Sequence, residues 1–176
     1  RTALVSGKLG QVRTINVEKQ SFQEPAIVQP KNKGLSVKIA EGEHYDINVV
    51  RTLENLKQTT VKEYEVGNRL FDYKKPNVGI FEGYIEILED GIYHFSSDMD
   101  ELYIGETLLI DNNGEVKRHS RNDASIALKK GFHPIKFLYL NNVTGGWPQA
   151  WNGIRIRYKN VNDEKFKELK PENFVY

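Results

Sequence analysis

From Tyr64 onward, apolar and polar residues alternate with period two in short runs broken by turn residues, the signature of half-buried antiparallel strands. Phe81, Gly83, Ile85 and Ile87 fall on one face, with Glu82, Tyr84 and Glu86 on the other. The run stops at Glu89-Asp90-Gly91, where glycine favours a turn and a hairpin into Ile92 to Ser96 is predicted. Glu101 to Thr107 and Leu108 to Asp111 read as strands meeting near Gly105, and Asn112-Asn113-Gly114 reverses the chain because Asn and Gly tolerate positive φ. A polar loop over 115–123 precedes a strand at Ala124 to Leu128. Lys129-Lys130-Gly131 then turns into Pro134 to Leu140, with Ile135, Phe137 and Tyr139 on one face and a second hairpin implied. In Gly153 to Lys159, Ile154, Ile156 and Tyr158 alternate with Arg155, Arg157 and Lys159, so one side of that sheet faces water.

The first third is less periodic. Val12 to Glu18 alternates in part, Gln23 to Pro30 is a proline-punctuated connector, and Leu35 to Ala40 is a short strand. A boundary is placed near Pro25 to Lys33, giving residues 1–30 as one unit and 31–176 as the main domain. No long helical period competes, and Tyr, Ile, Phe and Thr are frequent. The predicted fold class is therefore all-β, an antiparallel β-sandwich or partly closed barrel.

Composition narrows the function. The 25 basic and 24 acidic side chains leave a net charge of +1 and no field to recruit nucleic acid or an anionic membrane. The densest charged stretch, Asn162 to Lys170, mixes both signs and reads as solvated surface. With no cysteine, disulfides, thiolate metal sites and cysteine nucleophiles are excluded, whereas export is not. No apolar run approaches the roughly 18 residues needed to span a bilayer. The opening Arg1-Thr2-Ala3 suggests an excised fragment. His44, His94, His119 and His133 show no metal-ligand spacing, and Asn142-Val143-Thr144 is read as a chance match to a glycosylation acceptor.

The order Phe81-Glu82-Gly83-Tyr84-Ile85, Asp90-Gly91-Ile92-Tyr93-His94-Phe95-Ser96-Ser97-Asp98 and Leu102-Tyr103-Ile104-Gly105 resembles the PA14 domain family, whose strands carry F-x-G-x-I, D-G-x-Y-x-F, S-D-D and L-Y-I-x-G. The resemblance continues through Leu109 to Gly114, Ile126 to Ile135, Trp151 to Tyr158 and Pro171 to Tyr176, covering roughly Gly34 to Tyr176. Arg1 to Val12 looks like the last strands of the small immunoglobulin-like domain that follows the catalytic barrel in bacterial β-N-acetylhexosaminidases. Together the two resemble the C-terminal end of a Bacteroidetes-type enzyme of that kind. The resemblance implies a PA14-like sandwich behind a short β remnant, and an exported protein, periplasmic, cell-surface or extracellular.

In sugar-binding members of the family, two adjacent aspartates hold a calcium ion that coordinates glycan hydroxyls, calcium preferring six to eight oxygen ligands. Here the place reads Asp98-Met99-Asp100, and a thioether has no affinity for a hard cation. Asp98 and Asp100, near Asp111, Asn112 and Asn113, form a weak calcium candidate; turn capping by short acids is the default reading. No other cofactor is expected. Trp147 and Trp151 flank Pro148-Gln149-Ala150 after Gly145-Gly146, which suits either a stacking platform for a pyranose or a cover for the end of the sandwich. The candidate carbohydrate-binding set is Asp98, Asp100, Asn112, His119, Trp147 and Trp151. A glycosidase needs two carboxylates at a set separation in a cleft, and context singles out no such pair, so no catalytic residue is assigned. Two functions stay open. One is a noncatalytic module engaging glycan, with glycans that contain N-acetylglucosamine as the candidates, beside its own catalytic domain; the other is a structural spacer that packs on the barrel or a partner subunit and touches no sugar.

Overall fold

The computed structural model describes residues 21–44, 46–53, 56–61, 76–112, 122–141 and 156–176. Among these the elements are β1 (Leu35–Glu41), α1 (Ile47–Val50), β2 (Lys57–Val61), β3 (Asn77–Ile87), β4 (Gly91–Ser97), β5 (Glu101–Ile104), β6 (Thr107–Asp111), β7 (Asn122–Leu128), β8 (Gly131–Asn141), β9 (Ile156–Asn160), β10 (Lys167–Glu168) and β11 (Phe174–Val175). A large sheet of order β2-β1-β3-β8-β5-β6, with β11 also on β3, faces a four-stranded sheet of order β10-β9-β4-β7. All strand pairs are antiparallel, so the chain is an all-β sandwich without a closed barrel.

Period two puts alternate residues on the inner faces, and these make the core. Phe81, Ile85 and Ile87 of β3, Ile135, Phe137 and Tyr139 of β8, and Leu102 and Ile104 of β5 come from the large sheet. Tyr93, Phe95, Ile126, Leu128 and Ile156 meet them from the small one. Phe81 stacks on Phe137 with centroids 4.7 Å apart, and Phe95 on Tyr158 at 6.0 Å. Gly83 sits where β1 gives way to β11 along β3: a Cβ there would lie 2.9 Å from Leu35 Cδ2 and 3.0 Å from the Val175 carbonyl oxygen. That close approach explains the glycine in an otherwise apolar inner row.

The hairpin at Gly105 forms as predicted, β5 pairing with β6 around a glycine at φ 57°. The other two do not. β3 pairs with β1 and β8 while β4 pairs with β7 and β9, so Glu89-Asp90-Gly91 carries the chain from one sheet to the other. Lys129-Lys130-Gly131 does the same between β7 and β8. A hairpin and an arch across a sandwich share one alternation, because in both cases the apolar side chains of the two strands end up in the same core. The strand at Val12 to Glu18 lies outside the described residues.

The connector before β1 lies along the sandwich. Gln23 N–H donates to the Ala127 carbonyl and Ala26 N–H to that of Phe132, each at 2.8 Å, while Asn32 and Tyr176 exchange backbone bonds. On the outer face of the large sheet a second, smaller apolar cluster forms where α1 lays Ile47 and Val50 over Val78, Leu138 and Leu140. Arg51, just past α1, reaches down to Glu101 Oε1 at 2.6 Å and Tyr103 Oη at 2.8 Å, clipping the helix to β5. Among the described residues no helix is long and apolar enough to cross a membrane.

Candidate functional site

β4 belongs to the small sheet and β5 to the large one, so Ser97 to Glu101 must span the gap between layers. That fixes the fate of Asp98-Met99-Asp100. The middle residue falls between the sheets, and Met99 plugs the end of the core with only 1% of its surface exposed. A flexible apolar side chain fits such an irregular gap.

The flanking polar groups brace the crossing. Met99 N–H donates to Ser97 Oγ at 3.1 Å. Asp100 N–H donates to the Leu138 carbonyl, and Leu140 N–H donates back to Asp100 Oδ2 at 2.7 Å, so a buried carboxylate takes the ladder position that β5 vacates. Asn112, 1% exposed at the end of β6, donates its Nδ2 to the carbonyls of Ser97 (2.9 Å) and Met99 (2.7 Å), while its own N–H reaches the Asp100 carbonyl. An atom lying between two carbonyl oxygens must be the amide nitrogen, which fixes the orientation of Asn112. Beside this clamp, burial raises the Tyr139 phenol pKa well above its ordinary value, and the Asp100 and Asp98 charges add to the shift.

The structure thus brings Asp98, Asp100 and Asn112 of the candidate set to one end of the sandwich; His119, Trp147 and Trp151 lie outside the described residues. Ser97, Tyr139 and Leu140, which complete the cluster, were not singled out in the sequence. Ser97 and Tyr139 read there as ordinary strand residues, and Leu140 takes part only through its backbone. Of the two carboxylates that the resemblance would offer to calcium, Asp100 is already engaged. Met99 is core, the Asp100 carboxylate serves Leu140, and Asn112 turns its nitrogen rather than its oxygen toward the crossing. Among the described residues no group of three acidic or histidine side chains is placed to hold a metal ion.

Two other histidines serve the scaffold: His94 Nδ1 lies 2.6 Å from Ser125 Oγ across β4 and β7, and buried His133 places Nε2 2.7 Å from the Lys129 carbonyl oxygen. Glu101, with 4% of its side chain exposed, is held by Arg51 and by the Tyr103 hydroxyl at 2.7 Å. Arg51 has its pKa raised by the hydrogen bond to Glu101, and burial raises that of Tyr103.

The family model described as "PA14 domain" matches residues 74–165. The chain is 37% identical over 98% of its length to a β-hexosaminidase of Porphyromonas gingivalis, and spans 23% of that relative. Among solved structures it superposes on the PA14 domain of an antifreeze protein (TM-score 0.55, 15% identity, 85% of this chain and 94% of that one). It also superposes on an anti-sigma factor domain-containing protein from Clostridium clariflavum (TM-score 0.57, 19% identity, 90% and 52%). A third match is the Epithelial Adhesin 9 A domain from Candida glabrata, solved with Galβ1-3GlcNAc (TM-score 0.52, 10% identity, 87% and 95%). At these identities the superpositions speak for the fold alone.

Proposed function

The chain belongs to the PA14 domain family, and from that premise we propose that it is a noncatalytic, carbohydrate-associated module of an exported β-N-acetylhexosaminidase-like enzyme, helping that enzyme engage glycan or shaping its substrate cleft. The observation that carries the reading is the match along nearly the whole chain to part of a β-hexosaminidase. The use made of the acids supports a noncatalytic role. Asp100 and Glu101 are spent on backbone and guanidinium partners, whereas a glycosidase holds two carboxylates toward a cleft.

The test is a titration of the chain with N-acetylglucosamine oligosaccharides followed by tryptophan fluorescence, run beside a chromogenic N-acetylglucosaminide assay. A saturable change without hydrolysis is expected. A flat response at roughly millimolar ligand, the weak end of specific affinity, would favour the second reading, a spacer or docking domain packed on the catalytic barrel or a partner subunit. Met99 favours that alternative, since it removes an oxygen ligand from the place where the family anchors its calcium.

A further inference from the structure

The outer face of the large sheet carries a trough that the loop-end cluster does not explain. Two hollows, of about 430 Å³ and about 540 Å³, lie side by side on it and share Glu82 and Lys136. Each is within the size range of small-ligand sites. The register shows how they are built. Ser36, Glu82, Lys136 and Tyr103 are successive partners across β1, β3, β8 and β5, making one row perpendicular to the strands. Two residues along, Lys38, Ile80, Leu138 and Glu101 form a second row, which meets Arg51, Leu53 and Leu56 of the α1 segment. On the other side, Tyr84 opposite Pro134 makes a third row, closed by Tyr176. Rows two residues apart are separated by about 7 Å. The trough therefore has length for a short oligosaccharide rather than one sugar.

Its chemistry narrows the ligand. Charges of both signs line it: Lys38 Nζ lies 3.0 Å from Glu82 Oε2, Arg51 holds Glu101, Lys136 Nζ sits 4.5 Å from the Tyr103 ring centroid, and Glu106 adds a third carboxylate. The cations Lys38, Arg51 and Lys136 balance the carboxylates of Glu82, Glu101 and Glu106, leaving no net charge to select an ion. Instead the floor offers fixed donors and acceptors between aromatic and aliphatic flanks, the mixture suited to a neutral polyhydroxylated chain with polar edges and apolar faces. A docked protein domain is less suited, because the centre of such an interface is depleted in charged residues, and here Glu82 and Lys136 occupy the centre.

We propose that this trough is a glycan-binding subsite for a neutral oligosaccharide, with Tyr84 as the stacking surface and Glu82 and Lys136 as the groups that fix hydroxyl or acetamido positions. It is distinct from the loop end around Asp98 and Asn112, and it rests on the reading of the chain as a carbohydrate-associated module. The test is an isotope-edited NMR titration of the chain with N-acetylglucosamine oligosaccharides, comparing wild type with Tyr84→Ala, Glu82→Gln and Ile92→Ala. The expected result is shifts concentrated on Ser36, Glu82, Tyr84 and Lys136, with affinity falling roughly tenfold in Glu82→Gln, as for loss of one charge-assisted hydrogen bond. Ile92→Ala, exposed on the small sheet, should leave affinity unchanged. Glu82→Gln keeps shape and volume, so its spectrum reports folding independently of binding. Binding that shifts only the Asp98–Asn112 end would overturn the trough while sparing the module's role in sugar binding. No shift anywhere would overturn both.

Discussion

Asn112 gives the sharpest test of how the sheet crossing is held. Its Nδ2 donates to two carbonyls, Ser97 at 2.9 Å and Met99 at 2.7 Å, in a spot where the residue is 1% exposed. Asn112→Ala removes both bonds and leaves the carbonyls without that partner and with little access to water. Each lost bond costs about 1 kcal/mol, more where an acceptor is stranded, so the expected loss is about 2–4 kcal/mol. At a urea m-value of about 2 kcal/mol per molar, the unfolding midpoint should fall by about 1–2 M with m unchanged. Asn112→Asp is the decisive partner, since it preserves volume but turns an oxygen toward two carbonyl oxygens. It should be no more stable than the alanine variant at neutral pH. Leu108→Ala, at an exposed position on the same strand, serves as control and should shift the midpoint little. An Asn112→Asp variant as stable as wild type, or an alanine variant losing less than about 0.5 kcal/mol, would refute the clamp.

Other expectations follow from the same geometry. Gly131 has φ 136°, and a Cβ there would lie 2.5 Å from Pro25 Cβ, so Gly131→Ala should cost about 2–4 kcal/mol by chemical denaturation. Gly105→Ala should cost only about 1 kcal/mol, because its φ of 57° is strained but the nearest atom is the end of the Gln23 side chain at 3.3 Å. Chelation by EDTA should leave the melting temperature unchanged; a drop reversed by calcium would show that the acids at the crossing hold a cation after all. Tyr139, its pKa raised by burial and by the neighbouring acids, should stay protonated in an absorbance-monitored alkaline titration while exposed tyrosines ionise. The unfolded chain then binds fewer protons than the folded one, so stability should fall as pH rises through the unfolded tyrosine value of about 10. A Tyr139→Phe variant should show a weaker fall.

Much of this architecture was legible in the residues because period two reports which side chains face a core. Phe81, Ile85, Ile135 and Phe137 were placed inward on that ground alone, and they are buried. What alternation does not report is which sheet a strand joins, and so the turns at Gly91 and Gly131 read as hairpins when they are arches. The four-residue α1 escaped because it is too short to show a helical period; its Ile47 and Val50 cover a patch on the outer face. At the site, Asp98, Asp100 and Asn112 stood out as polar groups around a turn. Their actual work depends on Leu140 N–H and the Ser97 carbonyl, backbone groups whose positions no side-chain pattern encodes. The row Ser36–Glu82–Lys136–Tyr103 was likewise hidden, since its members come from four strands and only the register sets them side by side.

The arches also bear on how the chain reaches its fold. Between Asn77 and Asn141 the only connection that closes locally, among the described residues, is the β5–β6 hairpin; β3 finds β8 through pairs such as Ile87 with Gly131, and β11 with Ile85 only at Phe174. Such separations mean that most loop-closure entropy is spent before any sheet is rewarded, placing the protein with slow, high-contact-order folders in the millisecond-to-second range. During synthesis β3 would emerge with β1 available for one edge while the other waits for β8, made much later, an interval in which an unpaired edge is most exposed to mispairing.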